Sequence, residues 1–156
     1  MGLTAAQRDA VRHLGPYADA YDLPLALHQM EGLAVGTWSF ARDGGATGDY
    51  NLKNIDGTNL VLPSGTLITN VVVVATTAVT SGGSMTVDVN ANAANDCLAA
   101  EAVAGLTANA RIQGIPDLAT VADWVRLTAD RTMSISLNTA AATAGVISVL
   151  FWFVNP

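Results

Sequence analysis

The chain has 156 residues, a length that suits one compact domain with an appended arm, and 51% of them are hydrophobic against 13% charged. That balance excludes a disordered chain, although much of the apolar count is alanine. The net charge of −6 and seven scattered basic residues exclude the clustered Lys and Arg of a phosphate-binding surface, so no nucleic-acid partner is expected.

Residues 1–34 read as an N-terminal arm, helical then extended. Thr4-Ala5-Ala6-Gln7 fits a capping box, and a short helix to about Leu14 is stopped by Gly15-Pro16. Leu3 and Leu14 fall on its apolar stripe. Tyr17, Tyr21 and Leu25 follow as a second apolar group, interrupted by Pro24. A helix this short is marginal alone and must dock. Leu3, Leu14, Tyr17, Tyr21 and Leu25 are therefore the expected anchors of the arm, on the domain or on a partner subunit.

Residues 35–156 read as a mostly β domain, an antiparallel sandwich of jelly-roll-like character. Trp38 and Phe40 alternate with Thr37 and Ser39, Asp43-Gly44-Gly45 is a turn, and Tyr50 and Leu52 alternate with Asn51 and Lys53. The β-branched run Leu67 to Val79 predicts a central strand covered on both sides. Ser81-Gly82-Gly83-Ser84 predicts a hairpin turn with positive φ at its glycines, followed by a half-buried strand on Met85, Val87 and Val89. Residues 92–104 look helical, with Asn95 as cap and Gly105 as stop. Strands resume at Ala110–Ile115, at Val125 and Leu127, and at Met133, Ile135 and Leu137.

The last strand, Val146 to Val154, carries apolar residues on both faces. Ile147, Val149, Phe151 and Phe153 fall on one side, and Val146, Leu150, Trp152 and Val154 on the other. A sandwich strand normally leaves one face to water. A bare patch with Leu150 and Trp152 would be an aggregation hazard, so the second face must be covered by the arm or by another subunit. Val146, Leu150 and Trp152 are the expected subunit interface. The same stretch is too short to cross a bilayer, and the N-terminus carries charges where a signal peptide needs an apolar run. Synthesis in the cytoplasm without export and no membrane partner are expected.

A search for chemistry finds no constellation. His13 and His28 stand apart from any nucleophile pattern, and Cys97, the single cysteine, reads as a small buried hydrophobe. Asp88, Asn90, Asn92 and Asp96 match four positions of a calcium loop, but Ala93 and Ala99 replace its glycine and bidentate glutamate. No catalytic residue, metal or other cofactor is assigned. Trp38 and Trp124 are the aromatics a sugar-binding sandwich would use.

The stretches TTAVTSGGSMTVDV, CLAAEAVAGL and GIPDLATVADWVRLTADRTMSISLNTAAATAGVISVLFWFV resemble a group of small tailed-bacteriophage virion structural proteins, the capsid decoration or head-associated proteins, over roughly residues 45–154. The shared pattern runs strand, SGG turn, strand, Ala-rich insert, LTA-R, strand, TAG and an aromatic final strand. The resemblance implies a non-enzymatic virion component. As a decoration (cement) protein it would bind the major capsid protein lattice, or other virion proteins, as a homo-oligomer such as a trimer. As the alternative it would be a head-fibre or tail-associated anchor, or a carbohydrate-binding module on the virion.

Overall fold

A computed structural model describes residues 31–154. The arm's helix and its anchors Leu3, Leu14, Tyr17, Tyr21 and Leu25 lie outside the described residues. Among the described residues no helix is long and apolar enough to cross a membrane.

Among the described residues eleven strands and one short α-helix follow in order: β1 (Glu31–Ser39), α1 (Phe40–Asp43), β2 (Gly48–Asn51), β3 (Val61–Leu62), β4 (Leu67–Ser81), β5 (Thr86–Asn90), β6 (Leu98–Ala102), β7 (Ala110–Gln113), β8 (Val125–Arg126), β9 (Arg131–Thr132), β10 (Ser134–Asn138) and β11 (Ala142–Val154). One antiparallel sheet has the order β1-β11-β4-β7, with β8 also on β4, and a second has the order β2-β10-β5-β6. β3 and β9 form a separate two-stranded antiparallel pair.

The two sheets share one core. The first contributes Trp38, Ile68, Val71, Val73, Ile147, Val149 and Phe151, and the second Val87, Val89, Leu98, Ile135 and Leu137. Loop residues Leu52, Leu60, Met85, Leu106, Leu127 and Met133 fill the ends. The expected antiparallel sandwich is present, and β4 lies inside a sheet as its β-branched run predicted, but it is not covered on both sides: Val71, Val73 and Ala75 are buried, whereas Val72 and Val74 on the other side are only half-buried.

Four local expectations are corrected. First, β1 begins at Glu31, so residues 31–34 belong to the sandwich and not to the arm. Its inward positions include Gly32 and Gly36, which hid the strand alternation. A Cβ on Gly32 would lie 2.4 Å from the Phe153 ring, and one on Gly36 would lie 2.8 Å from Leu52 Cβ. Second, Ser81–Ser84 is no hairpin, because β4 and β5 lie in different sheets. Gly82 and Gly83 are absent from the positive-φ residues, so the segment is a passage between sheets.

Third, the Ala-rich insert is not helical. Asn95 and Ala100 both have positive φ (62° and 52°), which no helix allows, and Leu98–Ala102 is the edge strand of the second sheet. Backbone bonds from Cys97 N to Val89 O (3.1 Å) and from Ile115 N to Cys97 O (2.9 Å) override the helix preference of alanine. Gly105 does end a helical turn, but a single 3-10 turn over Val103–Gly105. Fourth, Phe40 does not extend the β1 alternation. It opens α1, where Asp43 returns to accept from Ser39 N at 2.9 Å.

Candidate functional site

The two outer faces of the sandwich differ in character. On the outer face of the first sheet the β1–β11 register places Leu33 opposite Trp152 and Val35 opposite Leu150. The β11–β4 register places Val72 on the other side of Leu150, with Val74 opposite Ser148. Neighbouring strands stand about 4.8 Å apart, so Leu33, Val35, Leu150, Trp152 and Val72 form one continuous apolar patch across three strands. Leu33 is 53% and Val35 41% exposed, and the other three are half-buried.

Of the three expected interface residues, the structure therefore brings Leu150 and Trp152 together. Val146 is also half-buried on this side of β11, but it lies beyond Ser148, with Ser39 and Thr77 as its cross-strand partners. Leu33, Val35 and Val72 join the patch without having been singled out from sequence. The signal was the outward pair Leu33 and Val35, masked by the glycines between the inward positions.

Two irregularities of β4 set this geometry. The ladder shifts between Trp152 and Phe153, leaving Thr69 as an extra residue, and again between Val146 and Ile147, leaving Thr76 as an extra residue. Each threonine hydroxyl donates to the carbonyl beside its shift, Thr69 to Trp152 O and Thr76 to Val146 O, both at 3.3 Å. Each bulge shifts the alternation of β4 by one residue, so that Asn70, Val72 and Val74 stand opposite Trp152, Leu150 and Ser148.

The outer face of the second sheet is polar and internally satisfied. Across β2, β10 and β5, Asp49 stands opposite Ser136, which stands opposite Asp88. Ser136 donates to Asp49, and Asn90 donates to Ser136 at 2.8 Å. Asp88, only 6% exposed, accepts from Ala100 N and from the Asn138 amide. The Asp96 carboxylate accepts from the backbone N–H groups of Ala91, Asn92 and Ala93, at 2.7 to 2.8 Å. Asn92 accepts from Thr128. The calcium-like spacing thus serves turn and strand closure. Among the described residues no group of three His, Cys, Asp or Glu could hold a metal ion.

The two aromatic sugar-binding candidates differ in placement. Trp38 is fully buried in the core, edge-on to Tyr50 at 6.3 Å, so it presents no face to a glycan. Trp124 is half-buried just before β8, and its indole N–H donates to Asp117 O at 2.8 Å. Cys97 is buried, as expected, and burial with Asp96 alongside pushes its thiol well above its ordinary range.

With this geometry the chain can be set beside solved structures. Chains of three phage capsid structures share the fold. One is from a structure described as the capsid asymmetric unit of cyanophage Pam1, at TM-score 0.60 and 16% identity, covering 82% of this chain and 86% of that one. A second, from an acid-stable capsid of the Helicobacter pylori bacteriophage KHP30, has TM-score 0.55 and 16% identity, covering 83% and 90%. A third, from the capsid of Ralstonia phage GP4, has TM-score 0.53 and 16% identity, covering 80% and 85%. No protein-family model and no curated relative matches the sequence.

Proposed function

We propose that this chain is a non-enzymatic structural protein of a bacteriophage virion, and within it a capsid decoration (cement) protein that binds the major capsid lattice as a homo-oligomer. The observation that carries the reading is the shared fold: chains from capsids of three different phages match more than three quarters of this one.

The molecular surface supports an assembly role. An apolar strip of Leu33, Val35, Leu150, Trp152 and Val72 lies on the outer face of the first sheet, and it suits burial against protein. The subunit contact then includes Leu150, Trp152 and Val146, as the last strand suggested. Apolar area removed from water contributes about 25 cal/mol per Å², offset by the entropy of association. A single contact of this kind is weak, but many copies on a repeating lattice bind with avidity. The second sheet, whose polar groups already bond one another, is the side suited to face solvent.

The test is add-back. Purified full-length protein is mixed with phage particles assembled without it, and the particles are separated on a density gradient. Saturable co-migration with the heads supports the reading. Protein that stays at the top of the gradient at every concentration refutes it.

A further inference from the structure

β1 is an edge strand of the first sheet, with β11 on one side. The backbone groups of successive residues in a strand point to alternate sides. Thr37 fixes which residues turn away from β11. Its N–H donates to Lys53 O at 2.8 Å, and its carbonyl accepts from Lys53 N at 3.0 Å. Val35 and Leu33, two and four residues earlier, therefore direct their N–H and C=O groups to the same side. Among the described residues only Lys53 pairs there, at Thr37. Two donors and two acceptors thus stand along the edge, the residues about 7 Å apart.

This edge is unguarded. Exposed edges of soluble proteins usually carry lysine, proline or a bulge. Gly32 to Ser39 contains no charged residue and no proline, and the β1–β11 register runs without a shift. The other edges of the two sheets are guarded. β2, β7 and β8 are at most four residues long and carry Asp49, Arg111 and Arg126. β6 carries Glu101, and Ala100 interrupts it with a φ of 52°.

We propose that β1 pairs antiparallel with β1 of a second copy about a two-fold axis at Leu33, joining the first sheets of the two copies into one. This rests on the homo-oligomeric reading above and names a contact that reading leaves open. With Leu33 opposite Leu33, Val35 of each copy faces residue 31 of the other. The two Thr37–Lys53 bridges then lie at opposite ends of the joint, outside the paired stretch. Leu33 stands on the outer face beside Trp152, so the two leucines meet between the two tryptophans. The apolar strips of the two copies become one continuous surface, which is why a second copy fits this edge. Each copy contributes the same edge, so the contact is isologous and closes at two copies instead of growing into a fibre.

The experiment uses full-length variants. Val35→Pro removes the outward N–H and leaves the β1–β11 bonds of Gly32, Ala34 and Gly36 in place, as proline can at an edge. Val35→Thr keeps both the N–H and the β-branched shape. By light scattering, wild type and Val35→Thr are expected at an even multiple of the 16.0 kDa chain mass, and Val35→Pro at half the wild-type value. Circular dichroism checks that each variant retains the sandwich. Leu33→Cys gives a second reading that does not depend on proline. Opposed residues of a hydrogen-bonded pair have Cα atoms about 5.5 Å apart, within reach of a disulfide. Mild oxidation should link Leu33→Cys into a dimer on a non-reducing gel. Ile55→Cys, fully exposed on a loop, and wild type, with only the buried Cys97, should stay unlinked.

A monomeric wild type or an odd multiple of the chain mass overturns the inference. So does a folded Val35→Pro that keeps the wild-type mass, a Val35→Thr that dissociates, or a Leu33→Cys that links no faster than Ile55→Cys. The add-back assay separates the two readings. Wild type that links through Leu33→Cys but binds no heads defeats the decoration role alone. Wild type that binds heads while Leu33→Cys stays unlinked defeats the inference alone.

Discussion

The Thr69 hydroxyl donates to the carbonyl of Trp152 at the point where the β4–β11 ladder slips by one residue. Thr69 is 1% exposed, so this bond lies beneath the apolar strip and fixes the backbone that carries Trp152. Thr69→Val keeps the shape and removes the donor. It should cost about 1 kcal/mol in chemical denaturation. Thr69→Ser should recover part of the loss through the retained hydroxyl. No change for Thr69→Val would mean the bulge is held by packing alone.

Gly114 joins the two sheets. Its N–H donates to Val71 O in β4, and a Cβ at this position would lie 2.4 Å from the carbonyl oxygen of Cys97. Backbone on that side cannot yield as a side-chain tip can. Gly114→Ala should destabilise by about 1–3 kcal/mol through overpacking, read as a lower denaturation midpoint with an unchanged slope.

Cys97 should be inert in the native protein. A thiol reagent at mild alkaline pH should label it only as fast as the chain unfolds, because the thiol is buried and held in its neutral form. The linkage has a definite sign. The folded thiol titrates above the unfolded one, so this contribution to stability is complete below the ordinary thiol pKa and is lost as pH rises beyond it. Cys97→Ala should flatten the alkaline limb of a stability–pH curve, and rapid native labelling would contradict the burial.

Asp88 supports the polar face. Its carboxylate accepts from Ala100 N, at a residue in the left-handed region, and from Asn138. Asp88→Ala would leave both donors without this partner, at about 1–3 kcal/mol, and should loosen β6 first. Hydrogen exchange at Ala100 should rise before exchange in β4 or β11.

The long central elements were legible in the chain because their pattern and their environment agree. β4, β10 and β11 alternate or run β-branched, and each lies inside a sheet. The misreadings fall where local preference and tertiary contact disagree. The alanines of residues 98–102 favour helix, yet pairing with β5, the backbone bonds of Cys97 and the Asp88 carboxylate hold that segment as an edge strand. Gly82-Gly83 carries a hairpin signature, yet it joins two sheets. Leu33 escaped notice because the strand's inward positions Gly32 and Gly36 are empty, their space being taken by Phe153, Leu52 and Leu60. Of the candidate site, the outward side of β11 was visible in the double apolar face of its sequence. Its β1 and β4 neighbours were not, since register between distant strands is set by tertiary pairing.

The central claim is that the chain decorates a capsid lattice, and its most direct test is the copy number per particle. Quantitative mass spectrometry of purified virions, with the major capsid protein as internal standard, gives that ratio. The account predicts a number of copies comparable to the number of capsid subunits. A handful of copies per particle would place the chain on a fibre or tail instead, and its absence from purified virions would contradict a structural role altogether.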